Sequence, residues 1–161
     1  MAVEIERKFL VQPGWRPQGE GVACVQGYLH TGRTGPSVRV RLMGERAFLT
    51  IKGKPQNLAR PEFEYAIPPD EARELLARFA GDRLIEKTRF PVEHAGHTWE
   101  VDVFQGSNSG LILAEVELAR ADEKVVLPDW VHTEVSRDHR YSNACLCTNP
   151  WPQWADNKGT P

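Results

Sequence analysis

The first strand-like stretch of the chain places the strongest constraint on its fold. Between Val3 and Val11, the charged residues Glu4, Glu6 and Lys8 alternate with apolar residues. Because successive side chains of a strand point to opposite faces, the charged side chains would share one face and the apolar ones the other. A half-buried surface strand would show the same alternation, so this stretch alone favours an ordinary amphipathic strand.

Repetition of this charge pattern indicates a different kind of sheet. Like charges on one face of a strand repel each other, and a sheet that merely contacts water gains nothing by sorting charge sign strand by strand. A sheet that holds an anion together with metal ions does gain from it. Like-charged pairs two positions apart recur at Arg39/Arg41, Glu62/Glu64, Lys87/Arg89, Glu100/Asp102 and Glu115/Glu117.

The segment Ser37–Lys52 is the clearest predicted hairpin. Gly44 and Glu45 suit a two-residue turn with glycine at its first position. Residues paired directly across an antiparallel ladder lie on the same face, so Lys52 joins both arginines of the preceding strand. Counting outward from the turn predicts the pairs Arg41 with Phe48, Arg39 with Thr50, and Ser37 with Lys52.

A second hairpin is predicted over Leu84–Phe104, with Ala95 and Gly96 as its turn. The same counting places Arg89 opposite Asp102, so two basic and two acidic residues share a face. A direct pair between Arg89 and Asp102 would neutralise part of the enclosed charge, as buried charges require. The other predicted pairs are Pro91 with Glu100 and Lys87 with Phe104.

In this order, the motifs resemble the CYTH domain of the triphosphate tunnel metalloenzymes, and in particular their short bacterial inorganic triphosphatases. The resemblance runs from Val3 to about Leu146. It implies a mainly β (α+β) fold, a closed antiparallel β-barrel of about eight strands with a few flanking helices and a charged interior. The CYTH domain is expected over residues 1–149, followed by an irregular C-terminal tail over 150–161.

The resemblance also implies how the charged residues divide between substrate and metal. All-oxygen ligands favour Mg²⁺ or Mn²⁺, and two ions are expected, one to orient the phosphate chain and one to activate the attacking water. The metal ligands are expected among Glu4, Glu6, Glu64, Asp102, Glu115 and Glu117. The triphosphate is expected on Lys8, Arg39, Arg41, Lys52, Lys87 and Arg89, and direct participation in catalysis from Lys8, Arg41, Lys52, Glu62 and Arg89.

The implied activity is metal-dependent hydrolysis of tripolyphosphate to pyrophosphate and phosphate. A class IV adenylate cyclase would need a base pocket, and a thiamine triphosphatase an aromatic clamp, yet only Tyr28, Phe48 and Phe104 are predicted on the charged faces. A binding module without turnover would gain nothing from a ring of carboxylates. A lipocalin-like barrel would place apolar residues inside.

The composition limits which binding partners and which cellular compartment are expected. The net charge of −2 gives no basic footprint for nucleic acid. The absence of an apolar leader and of any run of about 18 apolar residues predicts a cytoplasmic protein that does not contact membranes. Cys24, Cys145 and Cys147 lack metal-ligand spacing. The apolar outer faces need helices or a partner subunit to cover them, which leaves a homodimer open.

Two helices are predicted outside the strands. The first is capped by Asp70, presents Leu75, Leu76 and Phe79 as an apolar stripe, and ends at Gly81. The second is short and begins after Asp138; by resemblance it plugs one end of the tunnel. In relatives a lysine here reaches the phosphate, and whether His139 or Arg140 replaces it is left open.

Overall fold

The computed structural model describes residues 3–31 and 33–155. Its strands are all antiparallel to their neighbours. In chain order they are β1 (Val3–Val11), β2 (Val22–Thr31), β3 (Ser37–Met43), β4 (Arg46–Lys52), β5 (Ala59–Ile67), β6 (Leu84–His94), β7 (His97–Gln105), β8 (Ile112–Glu117) and β9 (Val131–Glu134).

The first eight strands form a closed barrel. They are hydrogen-bonded in the order β5-β4-β3-β2-β6-β7-β8-β1, and β1 returns to β5 through pairs such as Val3 with Pro61. The second half of β1 pairs instead with β9, which lies outside the ring. The predicted closed antiparallel barrel is therefore confirmed, and its closure leaves few sheet edges to protect.

Both predicted hairpins have the expected register. In β3–β4, Arg41 lies opposite Phe48, and in β6–β7, Arg89 lies opposite Asp102. Gly44 adopts a φ of +59°, a left-handed value that the first position of such a tight turn favours. The alternation of side chains then carries Lys52 and the like-charged pairs of β3, β6 and β7 to the inside of the barrel.

Apolar side chains support the barrel from outside and from one end. Phe9 and Trp99 lie in a cluster on the outer face of β1, β7 and β8, and Val40 lies in another beneath the helical segment. A third cluster closes the barrel from within, where Ile85 and Leu146 contact the same core. Phe63 and Tyr65 stay exposed on the outer face, and a homodimer remains a prediction.

The predicted helix after β5 is confirmed, with a different cap and buried face. It consists of α1 (Pro69–Leu75) and a π-helical turn (Leu76–Ala80). Prolines, not the Asp70 side chain, begin it, and Asp70 pairs with Arg73. Because the π turn changes the helical repeat, Phe79 points to solvent and the buried side chains are Ala72, Leu76 and Ala80.

The helix predicted to begin after Asp138 is divided in two. A 3₁₀ turn at His139–Tyr141 comes first, and α2 (Asn143–Leu146) follows and packs into one end of the barrel. The tail expected to be irregular contains a 3₁₀ turn at Trp151–Gln153, and the ring of Trp154 lies 5.0 Å from that of Tyr141. Residues 156–161 of this tail lie outside the described residues. In the described part of the chain, no helix is long and apolar enough to span a membrane.

Replacing Gly27 by alanine should destabilise the fold. A Cβ at Gly27 would lie 2.7 Å from side-chain atoms of both Leu76 and Ala80, where β2 contacts the helical segment. Such overpacking costs about 1 to 3 kcal/mol. Chemical denaturation measures the loss, with Gly35→Ala as control because a Cβ there meets nothing closer than 3.9 Å. Equal stability of the two variants would contradict the tight contact.

Candidate active site

The barrel encloses one large cavity of about 770 Å³. Of the predicted substrate, metal and catalytic residues, all but Asp102 line it. Among those that line it are cations from β1, β3, β4 and β6 and carboxylates from β1, β5 and β8. The structure therefore brings together residues that are more than a hundred positions apart in the sequence, such as Glu4 and Glu117.

The charges are sorted across the barrel. In the closed ring, β8 lies four strands away from β3, so these two strands face each other across the cavity. The wall formed by β7, β8 and β1 carries most of the carboxylates: Glu100, Glu115, Glu117, Glu4 and Glu6. The opposite wall, β3 and β4, presents Arg39, Arg41 and Lys52, the last of which reaches the acidic wall at Glu4. We call these the acidic wall and the basic wall.

Ion pairs connect several of these residues. Lys52 donates to Glu4 at 2.7 Å, and Lys8 lies 3.3 Å from Glu115. Arg89 also lies 3.3 Å from Glu115. Although burial opposes ionisation, these neighbouring cations hold the pKa of Glu115 well below its usual range.

Glu64 pairs with both arginines of the basic wall. Its Oε2 lies 3.4 Å from Arg39 and 3.6 Å from Arg41. The Nε atoms of both arginines are buried without a hydrogen-bond acceptor. Guanidinium donors without acceptors suit an anion with several oxygens, because arginine binds phosphate through paired hydrogen bonds.

Asp102 lies beneath the cavity, not on its surface. Its Oδ2 accepts a hydrogen bond from Lys87 at 2.8 Å, and both of its oxygens accept from Arg89, at 2.7 and 2.9 Å. The predicted pair between Arg89 and Asp102 is confirmed. The metal role of Asp102 stays a prediction; in this structure its oxygens accept hydrogen bonds from two cations, which it holds in place.

Glu6 and Glu117 lie directly opposite each other on β1 and β8. Neither side chain forms a hydrogen bond or an ion pair within the described part of the structure. Burial and the nearby charge of Glu115 raise the pKa of Glu6 from 4.5 to about 7. Glu117 is exposed to water, so the buried and unpaired Glu6 is the carboxylate of the acidic wall that most needs a positive ligand.

The donor chemistry of the acidic wall fits a hard divalent cation. Carboxylate oxygens, and not thiolates or imidazoles, surround this side of the cavity, which suits Mg²⁺ or Mn²⁺. Within residues 3–31 and 33–155, no group of three or more acidic, histidine or cysteine side chains converges closely enough to form a ready-made metal site. Metal binding would thus require these flexible side chains to move together or a phosphate to supply the remaining oxygens.

Arg60 is a cavity residue that the sequence reasoning missed. It lies 3.6 Å from Glu4, and it shares its strand face with the predicted residues Glu62 and Glu64. Extending the alternation by one step towards the start of β5 would have identified it.

The two residues considered for contact with the phosphate after Asp138, His139 and Arg140, lie in different surroundings. His139 lines the cavity, whereas Arg140 turns away. The guanidinium of Arg140 pairs with Asp138 at 2.6 Å and lies 4.5 Å from the ring of Trp154. Of the two, only His139 lines the cavity, and its contact with phosphate stays a prediction.

Aromatic groups are scarce in the cavity. Among the described residues, Tyr28 is the only Phe, Tyr or Trp that lines it. Phe48 lies beside Arg41 and Arg46 instead, and Phe104 belongs to the apolar cluster beneath Lys87. Two of the three aromatic residues predicted on the charged faces therefore do not form part of the cavity surface.

The model of the CYTH domain matches residues 2–144. The chain belongs to the CYTH family. It is similar to the inorganic triphosphatase of Acetivibrio thermocellus, with 40% identity over 157 residues that cover 97% of this chain and 100% of that protein. It is also similar to the inorganic triphosphatase of Nitrosomonas europaea, with 38% identity over 148 residues, 89% of this chain and 95% of that protein.

Solved structures have a similar fold. The crystal structure of an inorganic triphosphatase has a TM-score of 0.65 to this chain at 37% identity, covering 91% of this chain and 95% of that one. A candidate adenylate cyclase from Bacillus halodurans has a TM-score of 0.61 at 15% identity, covering 76% and 84%. At that identity the likeness shows a shared fold alone.

Replacing Glu6 by glutamine should stabilise the protein above neutral pH. Because the pKa of Glu6 is raised to about 7, the stability gained by holding its proton is present below pH 4.5 and lost as pH rises through 7. Glutamine keeps a neutral side chain. The melting temperature of Glu6→Gln in metal-free buffer, relative to wild type, should therefore rise more at pH 8 than at pH 5.

The control is Glu45→Gln, which removes an exposed carboxylate in the β3–β4 turn. Its melting temperature relative to wild type should depend little on pH. A Glu6→Gln variant that is no more stable than wild type at pH 8 would contradict a destabilising charge at Glu6.

Proposed function

We propose that this protein hydrolyses inorganic tripolyphosphate to pyrophosphate and phosphate, and that it needs a divalent cation to do so. The observation that carries the proposal is the acidic wall facing a basic wall inside the cavity of the closed barrel. Membership of the CYTH family and similarity to two inorganic triphosphatases support it.

The basic wall is the proposed seat of the phosphate chain. Arg39 and Arg41 offer planar donors along β3, and Lys52 adds a point charge on β4. Cations spread along neighbouring strands suit a chain of phosphates better than a single phosphate. Lys8, Lys87 and Arg89 would contact the same chain from β1 and β6.

The acidic wall is the proposed seat of one or two Mg²⁺ or Mn²⁺ ions. Glu6 and Glu117 would be central ligands because neither forms a hydrogen bond or an ion pair in the described structure, and Glu4 and Glu115 would complete the set on this wall. Glu64 would reach the cation from β5. When bound, the cation would neutralise phosphate oxygens and make a water molecule more acidic.

The remaining chemistry can be assigned to side chains of this chain. Glu62 lines the cavity, and its burial raises its pKa, so it is suited to accept the proton of the attacking water. Lys8, Arg41, Lys52 and Arg89 would stabilise the charge of the transition state without needing to reorganise. The ion pair between Lys52 and Glu4 holds the Lys52 ammonium in place before substrate arrives.

Hydrolysis should be favoured over nucleotide cyclisation. A cyclase must hold adenine and ribose so that the 3′-hydroxyl attacks the α-phosphorus, which takes aromatic or hydrogen-bonding groups beside the phosphates. Among the described residues that line the cavity, Tyr28 is the only Phe, Tyr or Trp. Binding energy would then come almost wholly from phosphate charge.

A product assay tests this assignment. Tripolyphosphate, ATP and thiamine triphosphate are each incubated with Mg²⁺, with Mn²⁺ and with chelator. We expect pyrophosphate and phosphate from tripolyphosphate with a kcat/KM well above that for the two organic substrates, and no turnover in chelator. Cyclic AMP formed from ATP at a comparable rate would favour a cyclase, and full activity in chelator would remove the metal from the mechanism.

Replacing Arg41 by alanine should weaken transition-state binding by about 2 to 4 kcal/mol, the scale of losing one preorganised charged donor. Arg46→Ala is a matched control, since Arg41 and Arg46 lie 5.9 and 5.0 Å from the same Phe48 ring but only Arg41 lines the cavity. The measurement is kcat/KM for tripolyphosphate. Equal kinetics in the two variants would argue against a phosphate site on the basic wall.

A further inference from the structure

The C-terminal plug, defined here as Ser136–Trp154, contacts two of the cavity lysines directly. Lys87 Nζ donates a hydrogen bond to Asn143 Oδ1 at 3.2 Å. Lys8 Nζ donates to the backbone carbonyl of Tyr141 at 3.4 Å. The plug therefore does more than close the barrel, because it supplies acceptors to cations expected to bind phosphate.

Lys87 has little freedom in this arrangement. Its ammonium group has three N–H donors, of which one is directed to Asp102 at 2.8 Å and one to Asn143. The side chain is almost completely buried, and its Nζ lies 5.5 Å from the centre of the Phe104 ring. Lys87 nevertheless lines the cavity, so its third donor is the one left for a cavity anion.

Asn143 is itself held firmly. It is the first residue of α2, whose start is capped by Ser142 Oγ accepting from the Cys145 backbone N–H at 3.2 Å. The buried side chain of Asn108 fastens the other end of the plug. Its amide donates to the Leu146 carbonyl at 3.3 Å, and its carbonyl accepts from the Trp151 backbone N–H at 2.8 Å.

We propose that Asn143 is a positioning residue for hydrolysis that acts through Lys87. Two fixed acceptors, Asp102 below and Asn143 beside, aim the third N–H of Lys87 at the phosphate chain. Asn143 is neutral, so it restricts the ammonium without neutralising it, which a second carboxylate would do. This role rests on the proposed tripolyphosphatase function and adds a residue of the plug to its binding machinery.

Kinetics of Asn143→Ala provide the first test. Losing one hydrogen bond to a charged group should lower kcat for tripolyphosphate by about 10-fold, with a smaller change in KM. The reason is that a correctly directed ammonium stabilises the transition state more than the bound substrate. The control is Thr148→Ala, which removes a side-chain hydrogen bond to Cys145 just beyond the same helix and touches no cavity cation. It should keep wild-type kinetics.

A double-mutant cycle shows whether Asn143 acts through Lys87. If it does, Asn143→Ala should have no further effect on kcat in a Lys87→Met background. A loss of about 10-fold in both backgrounds would overturn the proposal. So would wild-type kinetics in Asn143→Ala.

An NMR measurement that does not depend on hydrolysis distinguishes failure of this proposal from failure of the proposed function. In protein labelled with ¹⁵N-lysine, the Nζ resonance of Lys87, assigned by its disappearance in Lys87→Met, should shift in Asn143→Ala and stay in place in Thr148→Ala. An unmoved resonance in Asn143→Ala would overturn the positioning contact itself. A shifted resonance in a protein whose wild type does not hydrolyse tripolyphosphate would overturn the proposed function and leave the contact established.

Discussion

Enclosing like charges inside a closed barrel is the constraint on which the rest of the structure depends. Glu6 lies inside the barrel opposite the solvent-exposed Glu117 of the adjacent strand, and neither is bonded to a cation in the described structure. Ion pairs offset the cost of burial for other carboxylates, because a buried charge requires a partner. The pairs that do so are Lys52 with Glu4, Lys8 with Glu115, and both Lys87 and Arg89 with Asp102. The unpaired remainder marks where ligands are needed.

A barrel with a charged interior must obtain its folding free energy elsewhere. The apolar faces of β1, β7 and β8 point outward, where Phe9 and Trp99 lie with ring centres 5.5 Å apart. The helical segment covers β2 to β4, and the plug buries apolar side chains at one end of the barrel. Because the plug also bonds to Lys8 and Lys87, the same segment supports stability and the geometry of the cavity.

Alternation along strands and the two tight turns predict which side chains share a face, and the resemblance to the CYTH family supplies the closure of the sheet. Arg39, Arg41 and Lys52 share a face as predicted, since both the strand period and the turn length are local properties. The alternation along a strand shows on which face a side chain lies, but not how deeply the side chain is buried. Asp102 faces inward but lies below the cavity surface, where neighbouring cations occupy its oxygens. The bond between Asn143 and Lys87 joins residues 56 positions apart through a four-residue helix, and no local pattern indicates such a contact.

The central claim is that metal ions bind the acidic wall and the phosphate chain binds the basic wall of one cavity. The most direct measurement is a crystal structure with Mn²⁺ and a non-hydrolysable imidotriphosphate, in which anomalous scattering locates the metal. The account predicts anomalous peaks beside Glu6 and Glu117, with the phosphate chain between them and the donors of Arg39 and Arg41. An anion bound in the cavity without any manganese at these carboxylates, or an anion bound outside the barrel, would contradict it.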